Sequence, residues 1–565
     1  MRKQLFFVFS MVLALVFSSC SKDLTALDPS LFKCNPNPLE VKGGKVDATI
    51  TGTFPVKYFN KKATVTVTPV LKFNGKEVKS TSATFQGEKV VGNDQTISYK
   101  AGGTYTIKAS FNYVPEMANS ELFLEFSVST KKKTYAIPSV KVADGVIATS
   151  QLVSTSAKEN APVIIADKFQ RVIQEKQEAD ILFLIQKSDL RKSETKSADI
   201  AALTKKIKEA KESQNKQVSG LEISGYASPD GGLDLNTGLA EKREKNTSKY
   251  LAKELKKEKI DAPVDARYTA EDWEGFKELV ANSNLQDKDL VLRVLSMYND
   301  PEQREKEIKN ISAVYSNLAD EILPQLRRSR LTANIEIIGK SDDEIANLAK
   351  TDAKALTVEE LLYAGALAKT TAEKEAIYKK AVELFPSDYR TYNNVGMINF
   401  LNGDLSAAEA MFNKANSVKA NNESNMNLGL IALTKGDQAK AEQLFGSAAG
   451  VAELSEALGV LYLEKGEYAK AVNSFGATKS NNAALAQILV KDYSKAQQTL
   501  DGVANADATT DYLKAVVAAR TNNATGVISN LKSSIAKDKA MAAEAAKDLE
   551  FAKFAADAAF SALVK

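Results

Sequence analysis

Gly396, Gly429 and Gly459 recur at intervals of 33 and 30 residues, and Phe412, Phe445 and Phe475 keep the same spacing. Gly403, Gly436 and Gly466 follow the same intervals, and Ala408, Ala441 and Ala471 complete the register. A repeat of this length holds two short helices. Small residues mark where the two touch, and an aromatic on the second helix fills the gap between them. One such pair cannot bury its apolar face alone, so neighbours must stack into a solenoid with a continuous core and a groove along one side. This constrains 350–565 to an all-α stack. Tyr378, Ala381 and Pro386 mark an earlier copy, and beyond Ala483, where the pattern decays, Tyr493 and Tyr512 predict two more pairs.

This register resembles the tetratricopeptide repeat. The resemblance implies a protein partner in the groove, either a peptide or a helix, and the competing use of such a groove is packing against the chain's own other domains. Acidic and basic residues are nearly balanced over this region, so charge does not name the ligand.

Composition narrows the function. The chain has 565 residues, no histidine, two cysteines and a formal net charge of +4. Without imidazole there is no Ser-His-Asp or Cys-His nucleophile and no histidine-ligated metal. Two cysteines make neither a cysteine-rich metal site nor a disulfide framework. Near-neutral charge argues against nucleic acid as a partner. No pair of carboxylates stands out, and no phosphate-cradling glycine loop is present. A non-enzymatic protein without cofactor or metal is expected.

The N-terminus carries Arg2 and Lys3, an apolar run from Leu5 to Phe17, and then Ser18, Ser19 and Cys20. A basic start, a short apolar stretch and small residues describe a secretory signal peptide over 1–19, too short to span a bilayer. Phe17-Ser18-Ser19-Cys20 resembles the lipobox of bacterial lipoproteins, with Phe17 where Leu is usual. The resemblance implies lipidation of Cys20, a tether over 20–36, and anchoring by several acyl chains, as stable attachment requires. Placement in the outer membrane is expected, with the periplasmic face preferred over the cell surface and both open. Cys34 is then left without a disulfide partner.

From 37 to 150 the hydropathy alternates with period two. Val46, Ala48 and Ile50 share one face, Tyr105, Ile107, Ala109 and Phe111 another, and Leu122, Leu124, Phe126 and Val128 a third. Short alternating runs broken by Gly, Asn and Pro predict an antiparallel β-sandwich. Over 160–340 strands alternate with helices, which predicts an α/β layer fold. Strands are expected at 181–185, 218–226, 264–268 and 331–338. Helices are expected at 197–213 and 239–255, with a charged helical insertion at about 271–321.

Within that region Gly225, Tyr226, Gly231, Asn236, Leu239, Ala240 and Arg243 stand at spacings that resemble the OmpA-like, peptidoglycan-associating domain. Arg327-Arg328-Ser329-Arg330 resembles that family's last motif. In the family an Arg and an Asp grip the diaminopimelate of peptidoglycan stem peptides. The guanidinium holds a carboxylate through parallel hydrogen bonds, while the Asp pairs with an ammonium. The resemblance places Arg243 in the first role. Ser228 occupies the Asp position, with Asp230 two residues later, and Asn236 sits at a helix start, where it also fits an N-cap. The whole chain therefore resembles a Bacteroidota-type outer-membrane lipoprotein that scaffolds between membrane, peptidoglycan and a protein partner. The competing reading is a secretion or outer-membrane assembly component, or a surface-exposed binding protein, with no peptidoglycan contact.

Overall fold

The computed structural model describes residues 24–565 apart from 286 and 311. The signal segment 1–19 and Cys20 lie outside the described residues. The described residues form two compact units: one joins 24–165 to 378–565, and the other spans 166–377. The β-rich segment and the repeats, expected as separate domains, thus share a unit.

The first unit begins with ten strands: β1 (Phe32–Asn35), β2 (Val41–Lys42), β3 (Lys45–Phe54), β4 (Thr64–Phe73), β5 (Lys76–Lys79), β6 (Ala83–Gly87), β7 (Gln95–Ile97), β8 (Gly103–Asn112), β9 (Ser120–Ser129) and β10 (Thr134–Gly145). One sheet is built on β3, which pairs with β1, β2 and β8, and the other runs β10-β9-β4-β6-β7 with β5 on β4. All pairings are antiparallel except β6 with β7. The period-two residues named above are buried, and those of both sheets belong to one apolar cluster. Alternation has this effect because successive side chains leave a strand on opposite faces.

The second unit holds a mixed sheet of β11 (Val172–Leu182), β12 (Lys216–Tyr226), β13 (Val264–Thr269) and β14 (Arg328–Ile338), in the order β11-β14-β12-β13. Helices α1 (Ala198–Glu212) and α2 (Leu233–Glu258) contribute Ile200, Leu203, Ile207, Leu251 and Leu255 to a cluster with Ile181, Leu221, Ile223, Leu331 and Ile335. Two expectations are corrected. The first strand starts at Val172 rather than at 181, and Leu184 and Ile185 lie past its end, exposed. As the edge strand it is solvated along its N-terminal half, so charged residues hide its alternation. The helix expected from 239 begins at Leu233, because Gly232 serves as its N-cap.

The insertion folds as α3 (Trp273–Asn282), α4 (Lys288–Met297), α5 (Pro301–Asn310), α6 (Ser312–Asn317) and α7 (Leu323–Leu326), around a small core of Phe276, Val280, Val291, Leu318 and Leu326. After β14 come α8 (Asp342–Thr351), α9 (Val358–Leu367) and α10 (Thr371–Leu384).

The first unit then resumes as helix pairs: α11 (Tyr389–Leu401) with α12 (Leu405–Val418), α13 (Asn422–Thr434) with α14 (Gln438–Gly446), α15 (Leu454–Glu464) with α16 (Tyr468–Phe475), α17 (Asn481–Leu489) with α18 (Tyr493–Asp501), and α19 (Ala508–Arg520) with α20 (Ala524–Lys537). The repeat glycines explain the pairing. A Cβ on Gly429 would lie 2.4 Å from the Phe445 ring, and one on Gly396 would lie 2.6 Å from Phe412. Only glycine lets the second-helix aromatic seat against the first helix. The two degenerate pairs predicted from Tyr493 and Tyr512 are formed.

Polar contacts bind the two segments of this unit. Arg520 donates from Nε to both oxygens of Glu550 at 3.0 Å, and Thr149 donates to the same carboxylate. Tyr468 Oη donates to the Val41 carbonyl at 3.3 Å.

Candidate functional site

Two places gather buried polar side chains, one in each unit. In the second unit, β12 ends at Tyr226 and the loop to α2 carries Ser228 and Asp230. Arg327, just ahead of β14, donates from Nη2 to Asp230 Oδ2 at 3.0 Å and from Nε to Ser228 Oγ at 3.2 Å. Ser228 in turn donates to the other Asp230 oxygen. Serine at the expected acid position therefore joins an internal ion pair. Asn236 is not the N-cap. It lies one turn inside α2 and donates from Nδ2 to the Gly231 carbonyl at 2.7 Å and to Glu271 at 3.4 Å.

Arg243 is 1% exposed. Its Nε donates to the Lys187 carbonyl at 3.0 Å, Nη1 to Tyr226 at 2.8 Å and Nη2 to Leu184 at 3.4 Å. The Phe183 ring lies 5.2 Å from the guanidinium carbon. Burial, and then the neighbouring Arg327 guanidinium, push its pKa down to about 10. The structure thus brings Ser228, Asp230 and Arg327 together and sets Arg243 on backbone carbonyls. The space at Asp230, walled by Pro229, Trp273, Phe276 and Ile308, is a cavity of about 10 Å³. That is room for one water at most.

In the first unit, residues 154–165 run against the first helices of the repeats. The main chain turns at 156–160, where Glu159 and Asn160 N–H groups donate to the Ser156 carbonyl. Beyond Pro162 it belongs to no helix or strand, and burial from Val163 to Ile165 alternates as in an extended chain, with Ile164 exposed between two buried neighbours. Three asparagines read this backbone, each through both atoms of its amide. Asn394 of α11 accepts from the Ile165 N–H at 2.9 Å and donates to its carbonyl at 3.0 Å. Asn427 of α13 does the same for Val163, at 2.6 and 2.8 Å. Asn482 of α17 pairs with Ser154, at 2.9 and 2.8 Å.

In an extended chain the N–H and C=O of one residue leave on the same edge, so a carboxamide with one donor side and one acceptor completes them as a neighbouring strand would. Residues 163 and 165 share an edge, which is why two asparagines from successive pairs can read both. The asparagines are themselves braced: Asn393 donates to the Val163 carbonyl at 3.0 Å, and Ser424 and Asn427 donate to Asn393 Oδ1 at 3.0 Å. At the other end Lys158 Nζ meets Asp507 Oδ2 at 2.5 Å. Burial alone would raise the Asp507 pKa, yet bonds from Lys158, Thr510 and Asn481 bring it down to about 2.

Sequence reasoning reached the groove but missed the asparagines. Asn394 and Asn427 each stand two residues ahead of the repeat glycines Gly396 and Gly429. A polar residue in register on a face that must be buried was the available signal, because a buried amide is costly unless it is bonded.

A tetratricopeptide-repeat family model matches residues 389–422. That stretch is α11, α12 and the start of α13. Solved structures that resemble the chain include one from the APC/C hetero-tetramer Cut9–Hcn1, at 15% identity over 40% of this chain and 46% of that one, with a TM-score of 0.32. Pseudomonas aeruginosa PilF matches at 17% identity over 39% of this chain and all of that one, with a TM-score of 0.29. A tetratricopeptide repeat protein from Parabacteroides merdae matches at 12% identity over 47% of this chain and 96% of that one, with a TM-score of 0.26. The chain thus spans under half of the Cut9–Hcn1 chain it matches. No curated protein matches. The C-terminal helices contain a tetratricopeptide repeat at 389–422.

Proposed function

We propose that this protein is a non-enzymatic envelope scaffold that holds a protein partner on the first-helix face of its repeats. The observation that carries this reading is the set of asparagines, each satisfying both backbone groups of one residue in an extended segment. That is the chemistry of peptide recognition, because it needs no particular side chain on the ligand and fixes its direction. The lipobox-like segment ending at Cys20 supports a lipid anchor, and with it an outer-membrane position on the periplasmic side.

A second reading concerns peptidoglycan. The α/β layer with Arg243, Asp230, Ser228 and Asn236 supports an OmpA-like module. However, Arg243 is spent on three carbonyls and Asp230 on Arg327, so this arrangement favours a secretion or outer-membrane assembly role without peptidoglycan contact.

Three measurements test these statements. Radiolabelled palmitate is expected in the wild type and absent from Cys20→Ser; equal labelling removes the anchor. Sedimentation with purified sacculi is expected to leave the protein in solution, and co-sedimentation that Arg243→Ala abolishes would restore the peptidoglycan reading. Crosslinking from the repeat face in intact cells is expected to give one discrete partner adduct that Asn394→Leu/Asn427→Leu removes. An adduct indifferent to both substitutions overturns the assignment of this face.

A further inference from the structure

The repeat face that would receive a partner is already covered by residues 154–165 of the chain itself. Three features fit a segment held as a ligand would be. The backbone of Val163 and Ile165 is satisfied by side-chain amides. The asparagines that supply them come from different helix pairs, α11 and α13, so the contact follows the stacking axis as a bound peptide would. Where the asparagines read the backbone, Val163 and Ile165 are buried with Ile164 between them exposed, and Asn160 and Pro162 are buried ahead of them.

We propose that residues 154–165 are an intramolecular occupant of the repeat face, and that the partner is an extended protein segment of the same kind that displaces it. The chemistry defines that segment: two Val or Ile residues separated by one, each with a free backbone N–H. A lysine at its N-terminal side would reach Asp507, as Lys158 does. This rests on the reading of the face as a partner site and adds how it is regulated. The bonds to Val163 and Ile165 are main-chain bonds that any extended chain can offer, so exchange at these two residues leaves no asparagine unsatisfied. A tethered competitor acts at an effective concentration in the millimolar range, so the resident segment sets a threshold that weak or non-specific peptides do not pass.

The probe is a fluorescent peptide of residues 154–165, titrated into the full chain and followed by anisotropy. Val163→Pro/Ile165→Pro removes both resident N–H donors while keeping the extended backbone that proline and the residue before it prefer. This variant is expected to bind the free peptide about tenfold or more tightly than the wild type. Adding Asn394→Leu/Asn427→Leu to it is expected to abolish binding. Equal affinity for wild type and the proline variant, or binding that survives loss of both asparagines, overturns the proposal.

Should the proline variant fail to fold, the wild type decides the matter by hydrogen exchange. Excess free peptide is expected to speed deuterium uptake at Val163 and Ile165, and unchanged uptake overturns exchange at the face. The cellular crosslinking described above fails separately: peptide exchange without a partner adduct removes the scaffold reading alone, and an adduct without peptide exchange removes this one alone.

Discussion

Arg243 in the second unit and Asn427 in the first do the same chemistry with opposite consequences. Each is a fully buried polar side chain that satisfies main-chain groups from a distant part of the sequence. Arg243 serves three carbonyls from two places, Tyr226 at the end of β12 and the 184–187 loop. It ties the 184–187 loop to the end of β12, and removing it takes the donor from all three acceptors. Asn427 serves one residue of a segment that has no place in either sheet or helix. Its partner can leave and be replaced. The lesson is that burial and saturation alone do not distinguish a structural side chain from a binding one. What distinguishes them is whether the side chain ties a loop to the sheet of its own fold, as Arg243 does, or meets a segment that runs past several helix pairs, as Asn427 does.

The sharpest way to break this contrast is Arg243→Leu. It takes the donor from three carbonyls, one at the end of β12 and two in the 184–187 loop, and a loss of about 3 kcal/mol is expected in urea unfolding. Arg243→Lys is expected to recover only part of it, since an ammonium on a flexible stem cannot reproduce the planar fork. Full stability in Arg243→Leu would show that the guanidinium was available to a ligand after all.

Asn427→Leu comes next. It is expected to cost about 1–3 kcal/mol and to release 154–165 to faster hydrogen exchange while the helices keep their circular dichroism. Collapse of the repeats instead would make the segment part of their fold. Gly429→Ala sets the scale for damage to the stack itself. Its new Cβ meets Phe445 at 2.4 Å, so a loss of about 1–3 kcal/mol is expected in thermal melting. Gly446→Ala, with open space around its Cβ, is expected to be near neutral.

A smaller effect concerns pH. Burial lifts the Glu464 carboxyl in α15 from 4.5 to about 7, with the Gln438 side chain working against the shift. Between those values the unfolded chain has lost a proton that the folded chain keeps. Stability therefore falls as pH rises through this window. Glu464→Gln never ionises and is expected to flatten that decline, read as urea midpoints at pH 4.5 and 7.5. A slope unchanged in the variant would assign it to other groups. Smallest of all, Lys158→Ala breaks an ion pair whose lysine is largely exposed, and less than about 1 kcal/mol is expected.

How much of this was legible in the sequence depended on how local each signal is. The repeats could be read because Gly429 and Phe445 answer each other sixteen residues apart, every time, in a fixed register. The β region could be read because Val46, Ala48 and Ile50 alternate. The edge strand β11 could not, since charges on a solvated strand carry no period. Ser228, Asp230, Asn236 and Arg243 were legible as a group but not in their roles. Arg327 lies 97 residues from Asp230, and the Arg243 acceptors at 184 and 187 lie in a loop with no motif. The occupant of the repeat face was out of reach, because Val163 and Asn427 are 264 residues apart and nothing in either local pattern refers to the other. Only the in-register asparagines hinted that something polar had to be met there.

Hydrogen exchange of the full-length protein, resolved to Val163 and Ile165, tests most directly whether the repeats hold their own chain. Both amides are expected to exchange about a hundredfold or more slowly than an unstructured chain, because each is closed by an asparagine. Asn394→Leu/Asn427→Leu is expected to remove that protection while the repeat helices retain theirs. Exchange of both amides at unstructured-chain rates in the wild type would contradict the account.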